Sequence, residues 1–186
     1  MASKIKVDTL ETANGSGTIA LSNQLSGMTT ASLPTGSVLQ VVSITSEATM
    51  TTTATGLVSS GVELSITPSS TSSKIMIISS ISLSTSTGDS MPHTGLRRDS
   101  TDIGIASAAG SRSRSSGTGQ IFDVNHALTI SDNYLDSPST TSAITYAITV
   151  GVRSGKTLKV NRTYSDGDSQ LTNRPTSTLT LMEIKG

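Results

Sequence analysis

The chain has 186 residues, 13 basic and 13 acidic side chains, a formal net charge of zero and no cysteine. The charge balance argues against polyanion binding as the main role, and the lack of cysteine excludes disulfides, thiolate metal sites and a cysteine nucleophile. Hydrophobic residues make up 33% and aromatic residues 2%, so the core is thin and the chain gains from burying surface against copies of itself.

Residues 1–35 predict an extended arm. Ile5 and Val7 alternate with lysines, and the turn residues Asn14-Gly15-Ser16-Gly17 follow. Two strands this short bury too little surface to stand alone, so the arm must dock on another surface. The predicted buried side of the arm is Ile5, Val7, Leu10, Ile19, Leu21 and Leu25. Neither an apolar signal-peptide region nor a membrane-spanning run is expected.

Residues 36–186 predict a domain of short strands between turns. The clearest strands by alternation are Val38–Ile44, Thr49–Thr55, Val62–Ile66, Lys74–Leu83, Ala143–Arg153, Leu158–Tyr164 and Ser177–Lys185. Ser154-Gly155-Lys156 predicts a hairpin between the fifth and sixth strands. In the last strand the apolar parity shifts from Leu179 and Leu181 to Met182 and Ile184, which predicts a bulge or burial on both faces.

Between residues 84 and 142 the pattern loosens. Short candidate strands lie at 95–98, 103–106 and 120–130, and long loops of this kind often carry function. Eight or more short strands with almost no helix predict an all-β chain: the arm, then a jelly-roll-like antiparallel β-sandwich. The strand count alone does not separate a plain sandwich from a jelly roll.

No residue pattern indicates catalysis, a metal or a cofactor. His93 and His126 have no second ligand at metal spacing, and Asp166-Gly167-Asp168 favours a turn over a calcium site. A glycan-degrading enzyme would need two carboxylates facing a groove. Its candidates would be Asp123, Asp132 and Asp136, which no pattern supports. The prediction is therefore a non-enzymatic protein.

Four residues are candidates for surface recognition. Arg97, Arg112 and Arg114, with Arg98 beside the first, have the chemistry to bind phosphate, sulfate or an acidic sugar, and the alternative is that they are solvated loop arginines. Tyr134, in Ser131-Asp132-Asn133-Tyr134, is predicted to be a loop aromatic suited to a sugar surface.

Both ends of the chain resemble a known group of proteins. SKIKVDTLETANGSGTIALSNQLSGM, continuing through LPTGSVLQVV, resembles the N-terminal segment of structural and tail-fibre-like proteins of marine tailed bacteriophages, including cyanophages. LKVNRTYSD and STLTLMEI resemble the closing strands of the same proteins. The middle third has no such resemblance, as expected of a segment that varies with its target.

The resemblance implies a virion protein, made in the host cytoplasm, that forms a homotrimeric fibre. Residues 1–35 would be its attachment and trimerisation arm, and residues 36–186 would project for host-surface adhesion. The implied partners are its own copies, a tail adaptor or nozzle protein or the major capsid protein, and a host cell-surface glycan, with neither nucleic acid nor membrane insertion. The alternative is a capsid-decoration protein, either a head fibre or a cement protein.

Overall fold

The computed structural model describes residues 32–86 and 89–186. The predicted arm residues from Ile5 to Leu25 lie outside these ranges, and Pro34–Gly186 cluster as one compact unit. The described residues contain no α-helix, and accordingly no helix in them that could cross a membrane. Their strands are β1 (Val38–Ser46), β2 (Met50–Thr52), β3 (Val58–Ile66), β4 (Lys74–Thr85), β5 (His93–Arg98), β6 (Thr101–Ile103), β7 (Gly117–Thr118), β8 (Leu128–Asp136), β9 (Ile144–Gly151), β10 (Leu158–Val160) and β11 (Ser177–Ile184).

The strands form two antiparallel sheets, so the prediction of an all-β, sandwich-like fold is confirmed. In the first sheet β4 pairs with β8 on one edge, and with β11 and then β10 on the other. In the same sheet β1 pairs with the outer edge of β11, and β2 pairs with β10. In the second sheet the order is β3, β9, β5, and then β6 and β7 along the outer edge of β5. Connections between successive strands pass repeatedly from one sheet to the other.

The core contains aliphatic side chains from both sheets. Ile75, Ile77 and Ile81 of β4 alternate inward from the first sheet, while Ile148 and Val150 of β9 contribute from the second, and all are at most 1% exposed. The predicted alternation of β4 and β9 is therefore confirmed. Burying each such side chain contributes roughly 1.5–3 kcal/mol, so these two central strands provide much of the stability.

The predicted hairpin of Ala143–Arg153 with Leu158–Tyr164 is wrong. After the turn at Arg153–Lys156 the chain enters the other sheet, where β10 pairs with β4 and β2. β10 ends at Val160 because Asn161 adopts a left-handed conformation, with φ of 56°. The buried Asn161 amide donates to the carbonyls of Ser46 and Ala48, at the break between β1 and β2.

Of the two alternatives predicted for the last strand, the bulge is wrong, since β11 pairs with β4 without interruption from Thr178 to Ile184. Burial on both faces holds in part, because one face is buried and the other half-buried. Ser177, Leu179, Leu181 and Glu183 all face inward, and Glu183 takes the last of these four positions. Met182 and Ile184 face outward and are half-buried. The apparent shift in parity therefore comes from a buried carboxylate in an apolar series. The irregularity lies in β1, between Val38 and Gln40.

Glu183 is 1% exposed and holds the turn between β3 and β4. Its Oε1 accepts hydrogen bonds from the Ser69 backbone N–H, the Ser69 hydroxyl and the Ser73 hydroxyl, at 2.6 to 2.7 Å. Its Oε2 accepts one from Gln40 Nε2 at 2.6 Å. Burial raises the pKa of Glu183, but these hydrogen bonds favour the charged form more strongly and the net pKa is lowered. The charge is thus fully enclosed by donors.

Candidate functional site

Several loops meet at the end of the sandwich where β9 ends and β5 begins. Gly151 of β9 pairs with His93 of β5, and Val150 pairs with Val58 at the start of β3. Residues 104–116 also reach this end, as an excursion between β6 and β7 along one edge of β5. Ala106 N–H donates to the Ser115 carbonyl, and Ser116 N–H donates to the Thr94 carbonyl, so the base of the excursion is fixed.

Two adjacent cavities open among these loops, with volumes of about 620 Å³ and 300 Å³. Both are lined by Thr55, His93 and Ser113; Arg153 lines the larger one, and Arg112 and Arg114 line the smaller one. We call the combined feature the arginine groove, defined by Thr55, His93, Arg112, Ser113, Arg114 and Arg153. The larger cavity falls within the range of roughly 300–1,000 Å³ that is typical of small-molecule sites.

The floor of the arginine groove is rigid. The His93 side chain is 7% exposed and hydrogen-bonds to the backbone of Thr55 and Met91. It lies against Gly151, where any Cβ would collide with the imidazole ring. Burial lowers the pKa of His93, and the two backbone hydrogen bonds oppose that shift only in part. The ring is therefore neutral at pH 7, and its bonds fix the β2–β3 loop.

The arginines of the groove differ in how they are held. Arg114 Nε donates to the Ala106 carbonyl at 2.7 Å, which leaves its terminal nitrogens for other partners. The side chains of Arg112 and Arg153 make no hydrogen bond or ion pair with any residue in 32–86 or 89–186. Two guanidinium groups without a described partner and one half-used group thus line the two adjacent cavities.

Arg97, which was predicted as a surface-recognition residue, is paired within the protein and does not line the groove. Its Nε donates to Asp102 Oδ1 at 2.7 Å, and its terminal nitrogen donates to the Leu57 carbonyl at 3.0 Å. Asp102 is the one carboxylate among the described residues that line the groove. Because Arg97 pairs with it, Asp102 adds no unpaired negative charge there. Arg97 therefore supports the groove from behind, while Arg112 and Arg114 line it.

The expectation that Tyr134 is a loop aromatic is wrong. Tyr134 lies within β8, opposite Ile77 of β4, and is 36% exposed. Its ring packs over Gly104, where a Cβ would stand 3.0 Å from the ring. Gly104 has a φ of 61°, which favours glycine for conformational reasons as well. The ring therefore bridges the β8 edge of one sheet and the end of β6 in the other.

The candidate carboxylates of β8 hold the two sheets together. Asp132 accepts hydrogen bonds from the hydroxyls of Thr94 and Ser116, at 2.7 and 3.0 Å. Asp136 accepts two from Arg98 Nη1 and one from the Tyr146 hydroxyl, at 2.7 to 3.0 Å. Burial and this hydrogen bond raise the pKa of Tyr146 far above its usual range. Both carboxylates are thus occupied by donors of the second sheet.

The remaining candidates have local structural roles. Asp123 accepts a hydrogen bond from the Asn125 N–H within its own loop. Asp166 accepts hydrogen bonds from Arg162 and Arg174, which lower the pKa of its carboxyl, so the predicted turn at 166–168 is held by ion pairs. Within the described ranges, no group of three or more His, Asp or Glu side chains is placed to hold a metal ion.

Sequence reasoning missed Arg153 and Thr55 as parts of the groove, and Met91 as part of the lining of the larger cavity. Arg153 follows β9 in the turn Arg153-Ser154-Gly155-Lys156, a position that looks like any solvated turn arginine. Only the pairing of β9 with β5 places it across the opening from residues 112–114. The one signal in the sequence was that Arg153 has the same charge as Arg112 and Arg114.

Comparison with known proteins leaves the family open: no protein-family model matches the chain, and a search of curated proteins finds no match to it.

Proposed function

We propose that the chain is a non-enzymatic structural protein of a tailed-phage virion, a homotrimeric fibre whose β-domain adheres to the host surface. The observation that carries the proposal is the arginine groove: two adjacent cavities of about 620 Å³ and 300 Å³, formed by loops at one end of the sandwich, where the side chains of Arg153 and Arg112 have no partner among the described residues. Loops on a rigid scaffold are the usual location of recognition sites. The resemblance of both chain ends to phage fibre-like proteins agrees with this role.

The strand order supports a jelly-roll interpretation of the sandwich. The first sheet reads β1, β11, β4, β8 and the second reads β3, β9, β5, then β6 with β7. If β6 and β7 count as one interrupted strand, each sheet has four main strands, and the connections pass between the sheets as two Greek keys require. Jelly rolls are common in viral capsid and lectin domains, which suits a projecting adhesin.

The outer face of the first sheet supports self-association. Strand register places Val41, Met182, Met76 and Leu135 side by side in one row across β1, β11, β4 and β8. Val41 and Leu135 are 53% and 47% exposed, and Ile78 in the neighbouring row is 43% exposed. On this face of β1, β11, β4 and β8, Lys74 is the one charged residue in the described chain. An apolar row on a face with a single charge indicates a protein contact, for which we propose a second copy of the chain.

Self-association can be tested with a charge placed in that row. Val41→Lys should dissociate the full-length oligomer toward the 19.0 kDa monomer in sedimentation velocity, because face-to-face copies would then bury unpaired ammonium groups. Ser65→Lys, on an exposed strand position of the other sheet, is the matched control and should leave the oligomer intact. Dissociation by both variants alike, or by neither, contradicts this contact.

Location and role on the virion are tested on purified phage particles. We expect quantitative mass spectrometry to give a small number of trimers per particle. We also expect the purified chain to compete with the phage for adsorption to host cells. Many tens of copies, with no competition for adsorption, would instead indicate the capsid-decoration alternative. Absence of the chain from washed particles would overturn both virion roles.

A further inference from the structure

Resting on the adhesive role proposed above, we propose that the arginine groove binds an anionic sugar, a pyranose unit of a surface polysaccharide that carries a carboxylate or a sulfate group. The charges, the hydroxyls and the apolar surface that line the opening each match one part of such a ligand.

The charge of the groove is positive and unbalanced. Arg112 and Arg153 are unpaired in the described part of the chain, Arg114 uses only Nε, and Asp102 is neutralised by Arg97. The planar guanidinium group donates two parallel hydrogen bonds to carboxylate or sulfate oxygens. Because the whole chain has a net charge of zero, this is a local concentration of charge and does not reflect a generally basic surface.

The remaining lining suits a sugar ring. The hydroxyls of Ser113, Ser115 and Ser154 line the larger cavity, and no residue of 32–86 or 89–186 hydrogen-bonds to them. They are therefore available to the hydroxyl groups of a sugar. Met91, which is 51% exposed, provides an apolar surface in the same cavity. A pyranose has both polar edges and apolar C–H faces, and this lining has a counterpart for each.

Two features favour a sugar over a nucleic acid. No Phe, Tyr or Trp side chain of the described residues lines either cavity, and the His93 ring is buried, so bases have no exposed ring on which to stack. The positive charge also surrounds one opening and does not extend as a track along the surface, as a phosphate backbone requires.

The test measures binding of the full-length protein to three polysaccharides at fixed ionic strength by isothermal titration calorimetry. Polygalacturonate presents carboxylates, dextran sulfate presents sulfates, and dextran presents neither. We expect binding to at least one anionic polymer, and the arm that binds identifies the anionic group. Binding to dextran should be at least about tenfold weaker, a difference that corresponds to about 1.4 kcal/mol.

Matched double variants assign the binding to the groove. Arg112→Ala with Arg153→Ala should weaken binding to the anionic polymer by at least about tenfold. Lys74→Ala with Arg174→Ala removes the same charge outside the groove and should change affinity by less than about twofold. Arg112→Lys with Arg153→Lys keeps the charge, and we expect an intermediate loss because the ammonium group donates no paired hydrogen bonds.

Four results would overturn the proposal: no binding to either anionic polymer, equal binding to dextran, equal losses in the two alanine pairs, or binding of single-stranded DNA of equal charge as tightly as the sugar. The adsorption-competition experiment distinguishes failure of the anionic-sugar proposal from failure of the adhesive role. A chain that competes for host cells but binds no anionic polymer retains the adhesive function and loses this ligand. A chain that does neither loses both.

Discussion

The two ends of the sandwich treat charge in opposite ways. At the end where β3 meets β4, Glu183 is enclosed and all of its hydrogen-bond donors come from the protein. At the other end, the side chains of Arg153 and Arg112 border two adjacent open cavities and bond to no described residue. An enclosed charge must be satisfied internally or it destabilises the fold. An unpaired charge at an opening costs little, and it is available to a ligand.

The difference between the two ends separates charges that stabilise the fold from charges that are available for binding. Glu183 replaces an apolar residue in the core alternation of β11, so its burial is accepted only because Ser69, Ser73 and Gln40 converge on it. Asp136 follows the same rule through Arg98 and Tyr146. The groove arginines do not follow this rule, because the side chains of Arg112 and Arg153 have no partner among the described residues. Partnered charges hold the sandwich together, and unpartnered charges define its candidate site.

The largest effect is expected from Glu183→Ala, which breaks the enclosed end. The substitution removes the acceptor of the buried Ser73 hydroxyl and of the Ser69 N–H and hydroxyl, while Gln40 Nε2 keeps its hydrogen bond to the Thr67 carbonyl. Since hydrogen bonds to a charged group contribute roughly 1.5–3 kcal/mol, we expect a loss of about 3 kcal/mol in the free energy of unfolding. Urea denaturation followed by circular dichroism measures the change.

Glu47→Ala is the control, because Glu47 is exposed at the turn between β1 and β2. It should change the free energy of unfolding by no more than about 0.5 kcal/mol. Equal effects of the two substitutions would show that the enclosure of Glu183 contributes nothing particular.

The same carboxylate gives a pH dependence of known sign. The pKa of Glu183 is lowered in the folded protein from an ordinary value of 4.5. A lowered folded-state pKa contributes stability that is present above the ordinary pKa and is lost as the pH falls through the folded-state value. The difference in unfolding free energy between the natural chain and Glu183→Gln should therefore be constant above about pH 5 and shrink in more acidic solution. A difference that grows on acidification would contradict the sign.

The long strands with clear apolar alternation were readable from the sequence, whereas most of β8 and the strand partners were not. The alternation of β4 and β9 predicts both strands because apolar side chains recur every second residue over long runs. The hairpin predicted from Ser154-Gly155-Lys156 failed because a tight turn also suits a crossing between sheets, as before β10. What ends β10 is the buried amide of Asn161, whose partners lie more than a hundred residues away.

The candidate site was predictable only in part. Arg112 and Arg114 stand out as charges in a polar loop, but Tyr134 looked equally exposed until its strand pairing and Gly104 were known. Arg97 and Arg112 have the same chemistry in the sequence, and the carboxylate of Asp102 alone separates their roles. Side-chain pairing depends on tertiary neighbours, so composition and spacing identify candidates and do not rank them.

The smallest effect on the free energy of unfolding is expected at the open end of the sandwich. Arg112→Ala with Arg153→Ala should change the free energy of unfolding by no more than about 0.5 kcal/mol, because exposed charges without partners contribute little to stability. The measurement is the same urea titration that is used for Glu183→Ala. A loss of several kcal/mol would mean that these arginines hold the loops of the groove, and their charge would then serve the fold. An unchanged midpoint, together with weakened sugar binding, would assign the two arginines to recognition.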